Sequence, residues 1–301
     1  MAPKVGIIVL HWRSLSDTIA CLESVSRLDY EHRETIVVDN TGSLLPGDLD
    51  SIHLNRADEL HLLRSPSNLG YAGGNNLGIR ESTGKYLLFL NNDTEVDPGF
   101  LEPMVALFES NAEAGAASSK LIYYNSDNII QYAGSTCVDP LTGRNTRIGY
   151  MEKDLGQHDE QRQTDLAHGC SMMVPKHVIE NIGLMPELFF LYYEEIDWCE
   201  TIKRAGYKIY YVPASRVYHK ESMSVGKNST LKTYYMNRNR LLYVRRNSAG
   251  IQKLMAVAFF LLLAVPKNIF NHLLKREVEH VKALWRACAW NATHLTDGSS
   301  R

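Results

Sequence analysis

Three stretches of this 301-residue chain put acidic or imidazole side chains where they could hold a cation or move a proton. Asn91-Asn92-Asp93-Thr94 follows directly on the apolar run 86–90 (YLLFL). A carboxylate at a strand end can hold Mg²⁺ or Mn²⁺ against a diphosphate, with waters filling the shell; Asp at such a place also serves to cap a helix or turn. Residues 188–206 (LFFLYYEEIDWCETIKRAG) put Glu194, Glu195 and Asp197 in the first turn of a helix that Gly206 would close. The macrodipole alone favours acids there. The aromatic run before them would also make the mouth of a partly apolar pocket, where a carboxylate can accept a hydroxyl proton. His219, in Val217-Tyr218-His219-Lys220, lies just past another apolar run, so it is either a structural histidine or a further ligand to a metal or phosphate.

A fourth stretch, Asn68-Leu69-Gly70-Tyr71-Ala72-Gly73-Gly74-Asn75-Asn76, has the glycines of a phosphate loop without the spacing of GxGxxG or GxxxxGK[ST]. Its glycines instead let backbone pack closely around a nucleotide or a helix start. All four stretches need a scaffold that brings strand ends together. The runs 5–10 (VGIIVL), 35–39 (TIVVD), 60–64 and 86–90 read as parallel strands, some apolar throughout as in sheets buried on both faces. Between them lie the helical patterns 16–27, with Ile19, Leu22 and Val25 on one face, and 74–82. Strand alternating with helix predicts an open α/β sheet, whose ligands bind beyond the carboxyl ends of the strands. His11-Trp12-Arg13, Asp39-Asn40-Thr41, Asn68-Leu69-Gly70 and Asn91-Asn92-Asp93 all fall at such ends. Further on, the pattern predicts a helix over 100–110, a strand over 120–124, a long polar loop or lid over 139–165 and, after 168–174 (HGCSMMV), a helix and a strand ending at 210–213.

Composition narrows the class. A net charge of −2 argues against a nucleic-acid binder, which needs a concentrated basic surface. Five scattered cysteines without a CxxC pair indicate neither a disulfide framework nor a zinc site, and a reducing cytosol suits them; the N-terminal residues lack the pattern of a signal peptide. The run 254–265 (LMAVAFFLLLAV), ended by Pro266 and followed by Lys267, Lys275 and Arg276, is too short to span a bilayer. It fits a core or oligomer helix, in which case a homodimer forms through the C-terminal helices, or a membrane-surface helix. The basic helix from Thr230, with Arg238, Arg240, Arg245 and Arg246, fits either a solvated face or a surface for acidic lipid head groups or an anionic lipid-linked acceptor, so that 230–276 would meet the membrane peripherally.

Together VGIIVLHW, VVDNTGS, NLGYAGGNNLGI, YLLFLNNDTEV, HGCSMMV, FFLYYEEIDWCETIKRAGY and VYHKESMS resemble family 2 glycosyltransferases of the GT-A fold, on the rhamnosyltransferase-like branch, over residues 4 to 245. The resemblance implies an α/β fold with a mixed, mainly parallel sheet and a C-terminal helical extension. It divides the chain into a catalytic domain 1–228, with a nucleotide-sugar half to about residue 98 and an acceptor half beyond it, and a helical region 229–301. It implies an inverting transfer from a nucleotide-sugar donor to a saccharide or lipid-linked saccharide acceptor in polysaccharide assembly, aided by Mg²⁺ or Mn²⁺, at the cytoplasmic face. Asp93 and His219 would bind the metal and Glu195 would be the base, with Glu194 and Asp197 as alternates. His11, Asp39 (on the nucleobase), Asn68, Gly70, Asn75 and Asn92 would bind the donor, and His168, Gly169 and Trp198 would border the acceptor. The metal motif, usually Asp-x-Asp, is Asn91-Asn92-Asp93 here, and the base position, commonly Asp, is Glu195. Two rivals are a nucleotidyltransferase, whose basic Gly-rich loop is missing from His11-Trp12-Arg13-Ser14, and a non-catalytic nucleotide-sugar-binding subunit.

Overall fold

The computed structural model describes residues 2–49, 52, 59–220 and 229–295. The apolar runs become strands because only a sheet covered on both faces buries every side chain of such a run. β1 (Val5–His11) and β2 (Arg33–Asp39) are buried at all seven positions. β1 pairs in parallel with β2 on one side and β4 (Tyr86–Asn91) on the other, and β2 pairs in parallel with β3 (Glu59–Arg64). The helices between them are α1 (Leu15–Ser26), capped by Ser14, and α2 (Gly70–Glu81). α2 starts four residues earlier than its apolar pattern does, inside the glycine-rich stretch. A Cβ on Gly74 would lie 2.3 Å from Leu10, and one on Gly78 2.5 Å from Ile8, so the helix reaches β1 only because these side chains are absent.

The second half of the sheet is mixed. After β5 (Thr94–Val96) and α3 (Glu102–Ser110) come β6 (Ala114–Tyr123), β7 (Ile130–Tyr132), β8 (Arg162–Thr164) and β9 (Ser171–Pro175), then α4 (Lys176–Ile182), α5 (Glu194–Arg204) and β10 (Lys208–His219). The strand order is β3-β2-β1-β4-β9-β6-β10-β5, with β7 beside β6 and β8 beside β10. β9 runs antiparallel to both β4 and β6, while β6 and β10 are parallel. The carboxyl ends of β1, β2, β4, β6 and β10 and the amino end of β9 therefore lie along one edge. That edge carries His11, Asp39, Asn91–Asp93, His219 and the His168-Gly169-Cys170 segment.

The polar stretch 139–165 is not a free lid. Residues 147–165 belong with the sheet, pinned where the fully buried Lys120 ammonium lies 3.0 Å from Asp154 and also bonds Asp159.

By internal contacts the chain divides into two units: Met1–Thr136 with Arg147–Phe190 and Glu194–Ser224, and Cys137–Thr146 with Leu191–Tyr193 and Val225–Arg301. The second is helical, built of α6 (Thr230–Asn247), α7 (Gly250–Phe259), α8 (Val265–Leu274) and α9 (Val278–Thr293). The basic helix α6 corrects the sequence reading. Arg238, Arg240 and Arg245 are buried rather than solvated or turned to lipid. Arg245 donates to the Asn291, His294 and Leu295 carbonyls at the end of α9, where outward carbonyls favour a cation. Arg238 stacks on Trp290 at 4.5 Å, and Arg240 bonds the Thr142 carbonyl. Pro266 does not end the apolar helix either: a π-helical stretch, Phe260–Ala264, joins α7 to α8, absorbing the hydrogen bond that proline cannot donate. The continuous helix Gly250–Leu274 has 25 residues, long and apolar enough by length and composition to cross a membrane, which overturns the expectation that the run is too short.

Candidate active site

Asp93 sits in the turn between β4 and β5, and His219 ends β10. β5 pairs with β10 so that Thr94 faces His219, which brings the two side chains together: Asp93 Oδ1 lies 3.2 Å from His219 Nε2. The other imidazole nitrogen, Nδ1, is 2.8 Å from Gln131 Oε1 on β7, which fixes Nδ1–H as the donor. Nε2 is left either to carry a proton toward Asp93 or to offer its lone pair to a cation. Burial works against a charged imidazole, but Cys170 and the Asp93 carboxylate outweigh it and hold the His219 pKa well above the usual value. Burial likewise opposes the Asp93 charge, and the hydrogen bond from His219 reverses this and holds its carboxyl below the usual range.

His168 lies beside this pair, its ring 6.5 Å from that of His219 and 5.3 Å from Tyr132. Burial, then the neighbouring His219 charge and Arg147, push its pKa down to about 3, although the residue is only partly buried by surface area. A neutral His168 therefore accepts the Cys170 N–H at Nδ1. Gly169 follows, and a Cβ there would lie 3.2 Å from the Tyr71 hydroxyl and 3.6 Å from Glu195 Cγ, which places the first turn of α5 against this segment. Tyr71 bonds the Gly169 carbonyl; burial, then Glu195 and Glu194, push its phenol well above its ordinary pKa, so it stays a neutral donor. Of the three carboxylates in that turn, Glu194 and Asp197 are buried, at 3% and 1% exposure, while Glu195 is partly exposed. Asp93, His219, His168, Gly169 and Glu195 thus form one continuous path along the sheet edge.

The remaining candidates hold the scaffold. Asp39 is fully buried, with Oδ1 accepting from Thr41 N–H, Thr41 O–H and Ser43 N–H, and Oδ2 from Leu44 N–H at 2.9 Å. Those bonds organise the loop after β2 and commit both carboxylate oxygens to it as the loop stands. His11 spends both ring nitrogens internally, on Thr18 at 2.7 Å and Ser43 at 3.1 Å, and burial lowers its pKa. Asn92 turns its amide to Thr18 of α1 at 2.9 Å, and Asn75 bonds the Tyr71 carbonyl. Asn68 Oδ1 accepts the Gly70 N–H and the Asn40 amide, and Gly70, at φ +73°, has room for no side chain, since a Cβ would fall 2.1 Å from the Phe190 carbonyl. Trp198 departs from the implied acceptor role: it is 1% exposed, edge-on to Phe89 at 5.6 Å, with its N–H on the Gly183 carbonyl, and is a core residue. Residues 221–224, the tail of the VYHKESMS motif, lie outside the described residues.

Sequence reasoning missed Asn40, Tyr71 and Gln131. Asn40, beside Asp39, ties the β2 end to the next loop through the Gly70 carbonyl and the Leu69 N–H, and its place in a strand-end Asp-Asn pair was a usable signal. Gln131 had none, since β7 is three residues long.

The family model for glycosyl transferase family 2 matches residues 7–183. The hexosyltransferase Agl10 of low-salt glycan biosynthesis from Haloferax volcanii is 28% identical over 80% of this chain and 76% of its own length. The dTDP-rhamnosyl transferase RfbF of Shigella flexneri is 25% identical over 86% of each chain. Among solved structures, the mannosyltransferase PcManGT from Pyrobaculum calidifontis, in complex with GDP-Man and Mn²⁺, superposes with a TM-score of 0.57 at 16% identity over 98% of this chain and 76% of that one. GalNAc-T7 with UDP, GalNAc and Mn²⁺ gives 0.58 at 16% identity over 85% of this chain, which spans about half of GalNAc-T7's length (54%). The mixed sheet with its flanking helices is the GT-A fold, and the chain belongs to glycosyl transferase family 2.

Proposed function

We propose that this glycosyltransferase moves a sugar from a nucleoside-diphosphate sugar to a hydroxyl of a saccharide or lipid-linked saccharide, with inversion, in the cytoplasmic assembly of a cell-surface glycan. One observation carries the reading. The Asp93–His219 pair and the partly exposed Glu195 lie along one sheet edge, bridged by His168 and Gly169.

Glu195 takes the proton of the acceptor hydroxyl as its oxygen attacks the anomeric carbon. The bond from that carbon to the diphosphate oxygen breaks, and the nucleoside diphosphate leaves with the electron pair. Buried Glu194 and Asp197 have less access to an incoming hydroxyl, which favours Glu195 over both. Neutral His168 and Gly169 border the gap between the base and the Asp93–His219 pair, and Tyr71 holds the Gly169 carbonyl in place.

The donor set suits a divalent cation of the Mg²⁺ or Mn²⁺ kind. Among the described residues no three His, Cys, Asp or Glu side chains group to hold a metal, so the protein would give two ligands, Asp93 and His219, and the diphosphate and water the rest. The Gln131 bond to Nδ1 is the outer contact that orients a ligating imidazole. Such a cation would offset the charge growing on the departing phosphate. Similar proteins support this reading: one is a dTDP-rhamnosyl transferase, and two solved structures hold GDP-Man or UDP with Mn²⁺.

The decisive test is Glu195→Gln, assayed by nucleoside-diphosphate release and by donor binding. Loss of the base should lower kcat by about 10²- to 10⁴-fold while donor affinity in the presence of Mn²⁺ stays within about threefold. Unchanged turnover would move the role to another residue.

A further inference from the structure

The long helix of the second unit presents an apolar face that its own unit does not cover. Ala256, Phe260 and Val265 point inward, the last two forming a small core with Leu241, flanked by Ile269 and Cys288. On the outside Ile251, Leu254, Met255, Leu262 and Leu263 are 55–72% exposed, and Phe270, Leu273 and Leu274 continue the face beyond Pro266. Between Lys253 and Lys267 there is no charged residue, and Gly250 to Arg276 contains Lys253, Lys267, Lys275 and Arg276 without a single acid. Only 17% of the most apolar window is buried, at a mean hydropathy of 1.7.

We propose that this face seats the protein on an anionic lipid bilayer, lying in the plane of the interface rather than crossing it. Two observations select this occupant. The inward face of the helix is committed to Leu241 and Cys288 of its own unit, so the helix cannot also be surrounded by lipid while that packing holds. A second copy fits poorly. Helices paired antiparallel would set Lys253 against Lys275 and Arg276, and paired in parallel would set each lysine against itself, with no acid in the segment to relieve either contact. Anionic head groups complement the same charges, while the leucines enter the acyl boundary. Arg238, Arg240 and Arg245 of α6 are not part of this surface, because they are buried inside the unit.

The proposal is independent of the transfer reaction and is tested by flotation of the full chain with vesicles of phosphatidylcholine alone and of phosphatidylcholine mixed with phosphatidylglycerol. Binding should favour the anionic vesicles and weaken as salt rises. Leu254→Glu and Leu262→Glu, at exposed positions that should leave the melting temperature unchanged, should each weaken binding on the order of tenfold. Lys267→Glu with Lys275→Glu should abolish the preference for anionic lipid. Flotation of neither vesicle, or equal flotation of the leucine variants, would overturn the proposal. So would resistance to alkaline extraction, which would mean a crossing helix, or a lipid-free dimer that those leucine variants dissociate.

Discussion

Two carboxylates stand at strand ends on either side of β1 in the same sheet, yet the molecule uses them in opposite ways. Asp39 after β2 is fully buried and receives four hydrogen bonds from the loop that follows it. Asp93 after β4 keeps part of its surface open and faces one imidazole at 3.2 Å. A carboxylate offers about four lone-pair positions, and Asp39 commits both oxygens to backbone and hydroxyl donors, whereas Asp93, with a single imidazole partner, can still take a cation or another ligand. A saturated acid shapes a loop; an unsaturated one, beside a histidine whose far nitrogen is already tied down, binds.

The largest effect should come from exchanging the open one. Asp93→Asn is expected to cut kcat by about 10²- to 10³-fold, since it removes the negative oxygen that holds charge near the departing diphosphate. Its melting temperature should fall less than that of Asp39→Asn, because His219 can give up its proton once its partner carboxylate is gone. Asp39→Asn should do the reverse. An amide cannot accept at the nitrogen that replaces Oδ2, and leaving the Leu44 N–H facing a donor should cost about 2–4 kcal/mol of stability, read by urea denaturation, with donor KM raised more than kcat is lowered. If Asp39→Asn stopped turnover in a fully stable protein, the division between shaping and binding acids would be wrong.

A smaller effect tests the loop between those two ends. Gly70 begins α2 at φ +73°, with the Phe190 carbonyl 2.1 Å from where a Cβ would stand. Gly70→Ala should therefore lose about 2–3 kcal/mol in the same denaturation experiment. Gly73→Ala, at a position without a left-handed φ and with its nearest obstacle, Leu69 Cβ, 2.7 Å away, should lose less.

How far all this could be read beforehand depended on whether a residue's partner was near in sequence. The parallel strands announced themselves, because a strand covered on both faces is apolar throughout. The strand-end motifs followed from them, and the arrival of Asp93, His219 and Glu195 at one edge agrees with their order along the chain. The start of α2 was missed because GYAGGNN has poor helix propensity, and the approach of Gly74 and Gly78 to β1 overrides it. The antiparallel insertion of β9 between β4 and β6 leaves no local pattern, nor does Gln131 on a three-residue strand. Trp198 was carried over from the resemblance as an acceptor residue, and the arginines of α6 read as surface residues because their type usually lies there. Their burial is explained only by distant carbonyls and rings: Gly183 for Trp198, the end of α9 for Arg245, and Trp290 for Arg238. Pro266 was read as a stop because the π-helical stretch that accommodates it is a property of the folded helix.

The smallest effect concerns the histidine between the two functional ends. His168 is held neutral, with its pKa pushed down to about 3, below the ordinary value of 6.5. The unfolded chain then binds a proton at this residue that the folded chain refuses. Its contribution to stability is complete above about pH 6.5 and is lost as pH falls from there toward 3, with a slope of at most about 1.4 kcal/mol per pH unit. His219 acts in the opposite sense: its raised pKa gives stability that is present below the ordinary value and lost as pH rises through the folded one, so it is flat across the acid window. His168→Asn keeps an acceptor for the Cys170 N–H and removes the titration. Urea denaturation between pH 7 and 5, with EDTA present, should show a shallower fall for this variant than for the parent chain. Equal slopes would mean that His168 takes up its proton in the folded protein, and the gap between Asp93 and Glu195 would then carry a second positive charge in acid.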